Sequence, residues 1–168
     1  MTVFQVGVVG IPGSNPTGVI AAFRRVGVAT TLLSDPSEAS EVDRLVVPGV
    51  GSFGPAMSFL RDSGFSKVLL DGAKANRPIL GICLGFHLFC LASEEAPREK
   101  GFGLVEATVK RLISSPSRPV PHMGWGSVAA PSSGSVPELQ TDQLYYFAHS
   151  FEVVFPGPEA SAYISEYK

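Results

Sequence analysis

The sequence predicts an α/β fold: a central, mostly parallel sheet covered on both faces by helices, with mixed or antiparallel strands added after about Gly101. Three observations carry this expectation. Short apolar, β-branched runs alternate with amphipathic stretches through the first half of the chain, and the connections between them are short. Beyond Gly101 the texture changes to brief strand-like pieces separated by clusters of Pro, Gly and Ser.

Taken in order, residues 3–9 read as a first strand, and Pro12, Gly13 and Ser14 as a turn. Pro16 to Gly27 carries a helical pattern with Val19, Ala22, Phe23 and Val26 on one face. "VATTLL" and "RLVVPG" read as the second and third strands, with helices over about 54–62 and 65–76 after them. "PILGIC" is a fourth strand feeding a helix from Leu84. Later strand candidates are "GLVEATVKRL", "GSVAAP", "LYYFAHSFEVVF" and "SAYISEY", and "APSSGSVPELQTD" is the expected loop.

The 168 residues suffice for one domain that buries roughly two-thirds of its unfolded surface. A net charge of −2 lacks the basic excess that binding to a phosphate backbone requires, so nucleic acid is not an expected partner. The N-terminus "MTVFQVGVVG" lacks the basic and long apolar regions of a signal peptide, and no run approaches the roughly 18 apolar residues of a membrane span. The two cysteines are seven residues apart. If both lie on the helix after Gly81, they stand about 10 Å apart along its axis, too far to bridge. Free thiols point to a reducing cytoplasm.

Within "PILGICLGFHLFC", the segment "GICLG" has the spacing of a G-x-S-x-G nucleophile elbow with Cys83 in the serine's place. Small residues on either side relieve crowding in a tight strand-to-helix turn. A helix starting at Leu84 would favour a thiolate at its N-terminus. On these five residues alone, a small buried structural cysteine stands equally open. "VVPGVGSFG", at the end of the preceding strand, adds glycines at 49, 51 and 54. There, backbone N–H groups can point at an oxyanion, with the amides of Val50 and Leu84 as the donors expected. Cys90, among Leu88, Phe89 and Leu91, reads as buried and inert. "ASEEAPREKG" reads as a solvated helix end and loop, and "PHMGW", on its own, as a cap on a core.

In chain order, "PGVGSFGPAM", "GICLGFHL", "SEE", "GLV", "PHMGW" and "YFAHSF" closely resemble the glutamine amidotransferase (glutaminase) subunits of imidazole glycerol phosphate synthase, which are class I glutamine amidotransferases. The resemblance runs from the first strand to about Phe151. It implies a three-layer, flavodoxin-like fold and a single amidotransferase domain over 1–168. It also implies glutamine hydrolysis through a cysteine thioester, without cofactor or metal. Ammonia would pass to a (β/α)₈-barrel cyclase of histidine biosynthesis, held as a heterodimer partner. By motif matching, Cys83 takes the nucleophile's place and Val50 and Leu84 the oxyanion amides. Gly49, Gly51, Ser150 and Phe151 fall where glutamine is held. Asn15, His122, Met123, Trp125 and Tyr146 fall where such subunits meet their cyclase.

Two departures from the family pattern carry expectations of their own. Four residues after the nucleophile the family usually has glutamine, and here His87 stands at that substrate-binding place, able to donate or accept only one hydrogen bond per nitrogen. His87 reads equally as a surface or half-buried histidine. A Cys83–His87 dyad is disfavoured, because side chains on a helix lean back toward its N-terminus. The family's "G-x-QFHPEKS" segment, whose His and Glu complete a Cys-His-Glu triad, matches no stretch of the 168 residues. The chain is therefore read as C-terminally truncated, with little turnover expected of these residues alone. Two other classes stay open: a non-catalytic scaffold that binds a cyclase-like partner, and an amidotransferase subunit serving a synthase that aminates a sugar nucleotide.

Overall fold

The computed structural model describes residues 4–129 and 143–157. The chain divides into two compact units, Met1–Thr108 and Val109–Lys168. In the first, β1 (Gln5–Val9), β2 (Ala29–Leu33), β3 (Arg44–Val47) and β4 (Ile79–Gly81) form one sheet in the order β2-β1-β3-β4. Every pairing in it is parallel. Helices α1 (Pro16–Arg25), α2 (Phe53–Asp62) and α3 (Phe65–Lys74) and a 3₁₀ helix (Pro36–Glu41) connect the strands. A single turn, α4 (Leu84–His87), follows β4 and leads to β5 (Ala92–Ser93).

The alternation of side chains along each strand divides the core between the two faces. Val6 and Val8 of β1 and Val46 of β3 point to one side, where Val19, Ile20 and Phe23 of α1 pack on them. Val9, Leu33, Leu45 and Val47 point to the other side, against Phe53, Met57 and Leu60 of α2 and Phe65 and Leu69 of α3. With both faces covered, β1 and β3 read as near-continuous apolar runs, as buried parallel strands do.

Two expectations for α1 need correction here. Val26 is 73% exposed, not on the apolar face of α1: the helix ends at Arg25, and the chain turns at Gly27 with φ +77°. Beside Val19 and Phe23, the residue that packs is Ile20. Among the described residues β4, which leads to Cys83, pairs with β3 alone.

The helix expected from Leu84 through Cys90 is one turn long. The carbonyls that would continue it are taken by a later segment: Phe102 N–H donates to the Leu88 oxygen, Val105 to Phe89 and Gly103 to Cys90. Gly101 is required by that approach, because a Cβ there would lie 2.1 Å from the Cys90 oxygen. The two cysteines therefore share no helix, and both are free thiols.

In the second unit, β6 (Thr108–Arg111, whose first residue closes the first unit) lies beside β9 (Phe151–Val154). β7 (His122–Gly126) pairs antiparallel with β8 (Tyr145–His149). The "GSVAAP" strand is thus displaced: β7 begins four residues earlier, inside "PHMGW", where Trp125 faces Tyr146 across the ladder. Their rings meet edge to face at 5.4 Å, the kind of aromatic pair that stabilises a two-stranded ladder. "APSSGSVPELQTD" and "SAYISEY" lie outside the described residues. No helix is long and apolar enough to cross a membrane among the described residues.

Candidate active site

Strand order reverses between β1 and β3, which opens a crevice beyond the carboxyl ends of the strands, where α/β sheets hold ligands. The loop 48–52 leaves β3 at this edge, and the β4-to-α4 turn lies beside it. The two strands stay in register to the end: Val47 pairs with Gly81, and Ile82 N–H donates to the Val47 oxygen at 3.0 Å.

Cys83 follows at φ +54°, ψ −116°, a region L-residues rarely occupy. Such a conformation costs on the order of 1–3 kcal/mol and persists only where the surroundings impose it. They do so through two glycines. A Cβ on Gly81 would come within 2.6 Å of the Phe86 backbone, and one on Gly85 within 1.8 Å of the Val47 oxygen. The turn is closed by Gly85 N–H to the Ile82 oxygen at 3.0 Å, and by Phe86 and His87 N–H to the Cys83 oxygen at 2.9 and 3.1 Å. The result is an exposed thiol on a strained strand-to-helix turn.

The loop 48–52 packs onto this elbow. Pro48 and Gly49 are buried, and a Cβ on Gly49 would meet the Leu84 Cβ at 2.7 Å and the Gly85 nitrogen at 2.8 Å. Val50 is exposed, and Gly51 has φ +123°. Leu84 opens α4, so its N–H has no partner within the helix. Among the described residues, no backbone carbonyl takes the N–H of Val50 or of Leu84. An exposed thiol with two such amides on adjoining segments is equipped to attack a carbonyl carbon and hold the oxyanion that forms.

Cys90 contrasts with it. Its residue is fully buried, and desolvation pushes its thiol up to about 11. His87 is half-buried, one turn beyond Cys83.

Glu95 is a residue that sequence reasoning passed over. Its carboxylate accepts from the Phe53 N–H at 3.3 Å, at the first residue of α2, just after the loop 48–52. Ser52, the residue before that helix, makes no side-chain cap of its own. Arg61 of α2 and Glu99 form an ion pair at 2.6 Å, so this stretch is tied to α2 at two points and is not simply a solvated loop. The signal was the "SEE" triplet. Its partner lies 42 residues away, beyond any local pattern.

Asn15, in the first unit, accepts from the Gly18 N–H at 3.0 Å and caps α1. The other candidates lie in the second unit. Met123, Trp125 and Tyr146 are 59%, 68% and 55% exposed, so the methionine and tryptophan of "PHMGW" do not cap a core. His122 is buried, its ring stacked on Phe147. Ser150 and Phe151 join β8 to β9 and are half-buried. No group of three or more His, Cys, Asp or Glu side chains is placed to hold a metal among the described residues.

Comparison with known proteins gives consistent findings. The profile of the family described as glutamine amidotransferase class-I matches residues 13–162. Imidazole glycerol phosphate synthase subunit HisH of Streptococcus gordonii is 35% identical over 149 residues, covering 89% of this chain and 72% of that protein. The subunit of the same name from Chlorobaculum tepidum is 37% identical over 149 residues, covering 88% and 74%. Among solved structures, a crystal structure of a glutamine amidotransferase superposes with a TM-score of 0.66 at 17% identity, covering 90% of this chain and 74% of that one. The structure of PurLQS from Thermotoga maritima gives 0.64 at 16%, covering 96% and 69%. At these identities the two structural matches speak to fold alone.

Proposed function

The chain belongs to the class I glutamine amidotransferases, and we propose that within this family it is the glutaminase subunit of an imidazole glycerol phosphate synthase. The observation that carries the reading is the strained, exposed Cys83 with the Gly49 loop packed against the next residue. In this reading the Cys83 thiolate attacks the side-chain carbonyl carbon of glutamine. The oxyanion is held by the N–H groups of Val50 and Leu84. Collapse expels ammonia, which takes up a proton as it leaves, and a γ-glutamyl thioester remains on sulfur. Water then releases glutamate and restores the thiol.

Gly49, Gly51, His87, Ser150 and Phe151 are assigned to holding glutamine by the motifs they occupy. For Gly51 the φ of +123° supplies a physical reason: a side chain there would strain the loop whose amide is used. Met123, Trp125 and Tyr146, with Asn15 and His122, are assigned to a cyclase partner of (β/α)₈ form that consumes the ammonia in histidine biosynthesis. Exposed aromatic anchors of this kind dominate the energetics of many interfaces. The relatives described above carry the name of that synthase subunit, which favours this acceptor over a sugar-nucleotide synthase.

The family's triad His and Glu have no counterpart among the 168 residues. Loss of a general acid–base group costs about 10²–10⁴-fold. A polypeptide of these residues, mixed with a cyclase and the cyclase's own ligand, is therefore expected to release glutamate only slowly, and not at all as Cys83→Ala. Turnover of roughly 1 s⁻¹ or more, within the ordinary enzyme range, that disappears in Cys83→Ala would identify another base, with His87 the first suspect. Glutamate release undiminished in Cys83→Ala would overturn the assignment of the nucleophile.

A further inference from the structure

Two imidazoles of the second unit stand outside the chemistry just described. His122 of β7 lies opposite His149 of β8 in the antiparallel register. Nδ1 of His122 is 3.0 Å from Nε2 of His149, and Nδ1 of His149 is 2.9 Å from the Phe151 carbonyl oxygen. A carbonyl oxygen can only accept, so His149 carries its proton on Nδ1. In the singly protonated form of His149 that leaves Nε2 as the acceptor, and His122 donates to it from Nδ1. One backbone oxygen thus holds the proton of His149 on Nδ1 and turns its Nε2 toward His122.

The packing keeps them there. His122 is 7% exposed and stacks on Phe147, with centroids 5.0 Å apart and planes 14° apart, and it meets His149 edge-on at 5.1 Å. Burial above all holds His122 below the ordinary histidine range. The segment on which the relay ends is held at a second point as well: Leu112 N–H donates to the Ser150 oxygen at 2.9 Å.

We infer that His122 is a positioning residue, which through His149 fixes the Phe151 carbonyl and with it the Ser150–Phe151 segment that the proposed function assigns to glutamine. The inference rests on that assignment. Because His122 adjoins Met123 on β7, the same relay ties the glutamine-holding segment to the strand that bears the exposed Met123 and Trp125. A change in β7 on partner binding would then reach Phe151 through two hydrogen bonds.

Asparagine and glutamine separate this role from simple packing. An Asn side chain places its amide nitrogen near the position of a histidine Nδ1, and a Gln side chain near Nε2, so His122→Asn keeps the donor to His149 and His122→Gln loses it. The probe is 6-diazo-5-oxonorleucine, a glutamine-shaped electrophile, applied to the full chain, with labelling of Cys83 followed against concentration. Iodoacetamide, which needs no glutamine site, is the reference. His122→Gln is expected to raise the half-saturating concentration roughly five- to tenfold, the effect of leaving one half-buried acceptor unpaired. Its limiting rate and its iodoacetamide rate are expected to stay within about twofold of wild type, and His122→Asn within about twofold in all three. His149→Leu, which removes the donor to Phe151 directly, is expected to match or exceed His122→Gln, and it decides the matter if the latter fails to fold. Indistinguishable Asn and Gln variants, with saturable wild-type labelling, would overturn the inference alone. Wild-type labelling that does not saturate would overturn the glutamine assignment together with it.

Discussion

Replacing Gly85 with alanine is expected to cost the fold about 3 kcal/mol or more, at the upper end for overpacking, because the added Cβ meets backbone that cannot rotate away. The methyl group would sit 1.8 Å from the Val47 oxygen and 2.7 Å from its carbonyl carbon. Relief requires either α4 to lift off β3 or β3 to move, and Val47 is fully buried in the main core. Against a total stability of about 5–15 kcal/mol, the variant should melt roughly 10 °C lower or fail to accumulate as folded protein. Gly124→Ala is the control. Nothing lies within 4 Å of its Cβ, its φ is not positive, and it should fall within about 0.5 kcal/mol of wild type. Thermal melts followed by circular dichroism read both. A Gly85→Ala protein within about 1 kcal/mol of wild type would mean that the elbow is looser than its contacts require.

The second large effect is the difference between the two thiols. Iodoacetamide at pH 8 is expected to modify Cys83 at least about 100-fold faster than Cys90. Cys83 is exposed, whereas Cys90 is fully buried with its thiol pushed up to about 11. At pH 8 a thiol of that acidity is about one part in a thousand thiolate, and the reagent must also wait for the chain to open. The sign follows: Cys90 modification should rise with pH up to about 11. In denaturant the two thiols should react alike. Peptide mass spectrometry of partially labelled protein distinguishes the sites, and equal labelling in the native state would contradict the burial described for Cys90.

Much of the first unit was legible in the sequence because its signals are local. β-branched runs with glycine-bearing turns marked β1 to β4, and the spacing of "GICLG" marked a turn that the structure closes around Cys83. The missing parts depend on distant partners. α4 is short because amides from residues 101–105 claim the carbonyls a longer helix would use, a competition that no helical periodicity reveals. Glu95 reaches Phe53 across 42 residues, and His122 meets His149 only once β7 and β8 are in register. The start of β7 was misplaced because "PHMGW" offers Gly and Pro signals of a turn, while cross-strand aromatic pairing holds it extended.

The central claim is that Cys83 attacks glutamine and carries the acyl group. The most direct measurement is to incubate the full chain with L-glutamine at neutral pH, quench in acid and locate any γ-glutamyl adduct by peptide mass spectrometry. The account predicts an adduct on the peptide that contains Cys83, absent from Cys83→Ala and removed by hydroxylamine as a thioester would be. An adduct on Cys90, or none on Cys83 in a protein whose Cys83 reacts readily with the glutamine-shaped electrophile, would contradict it.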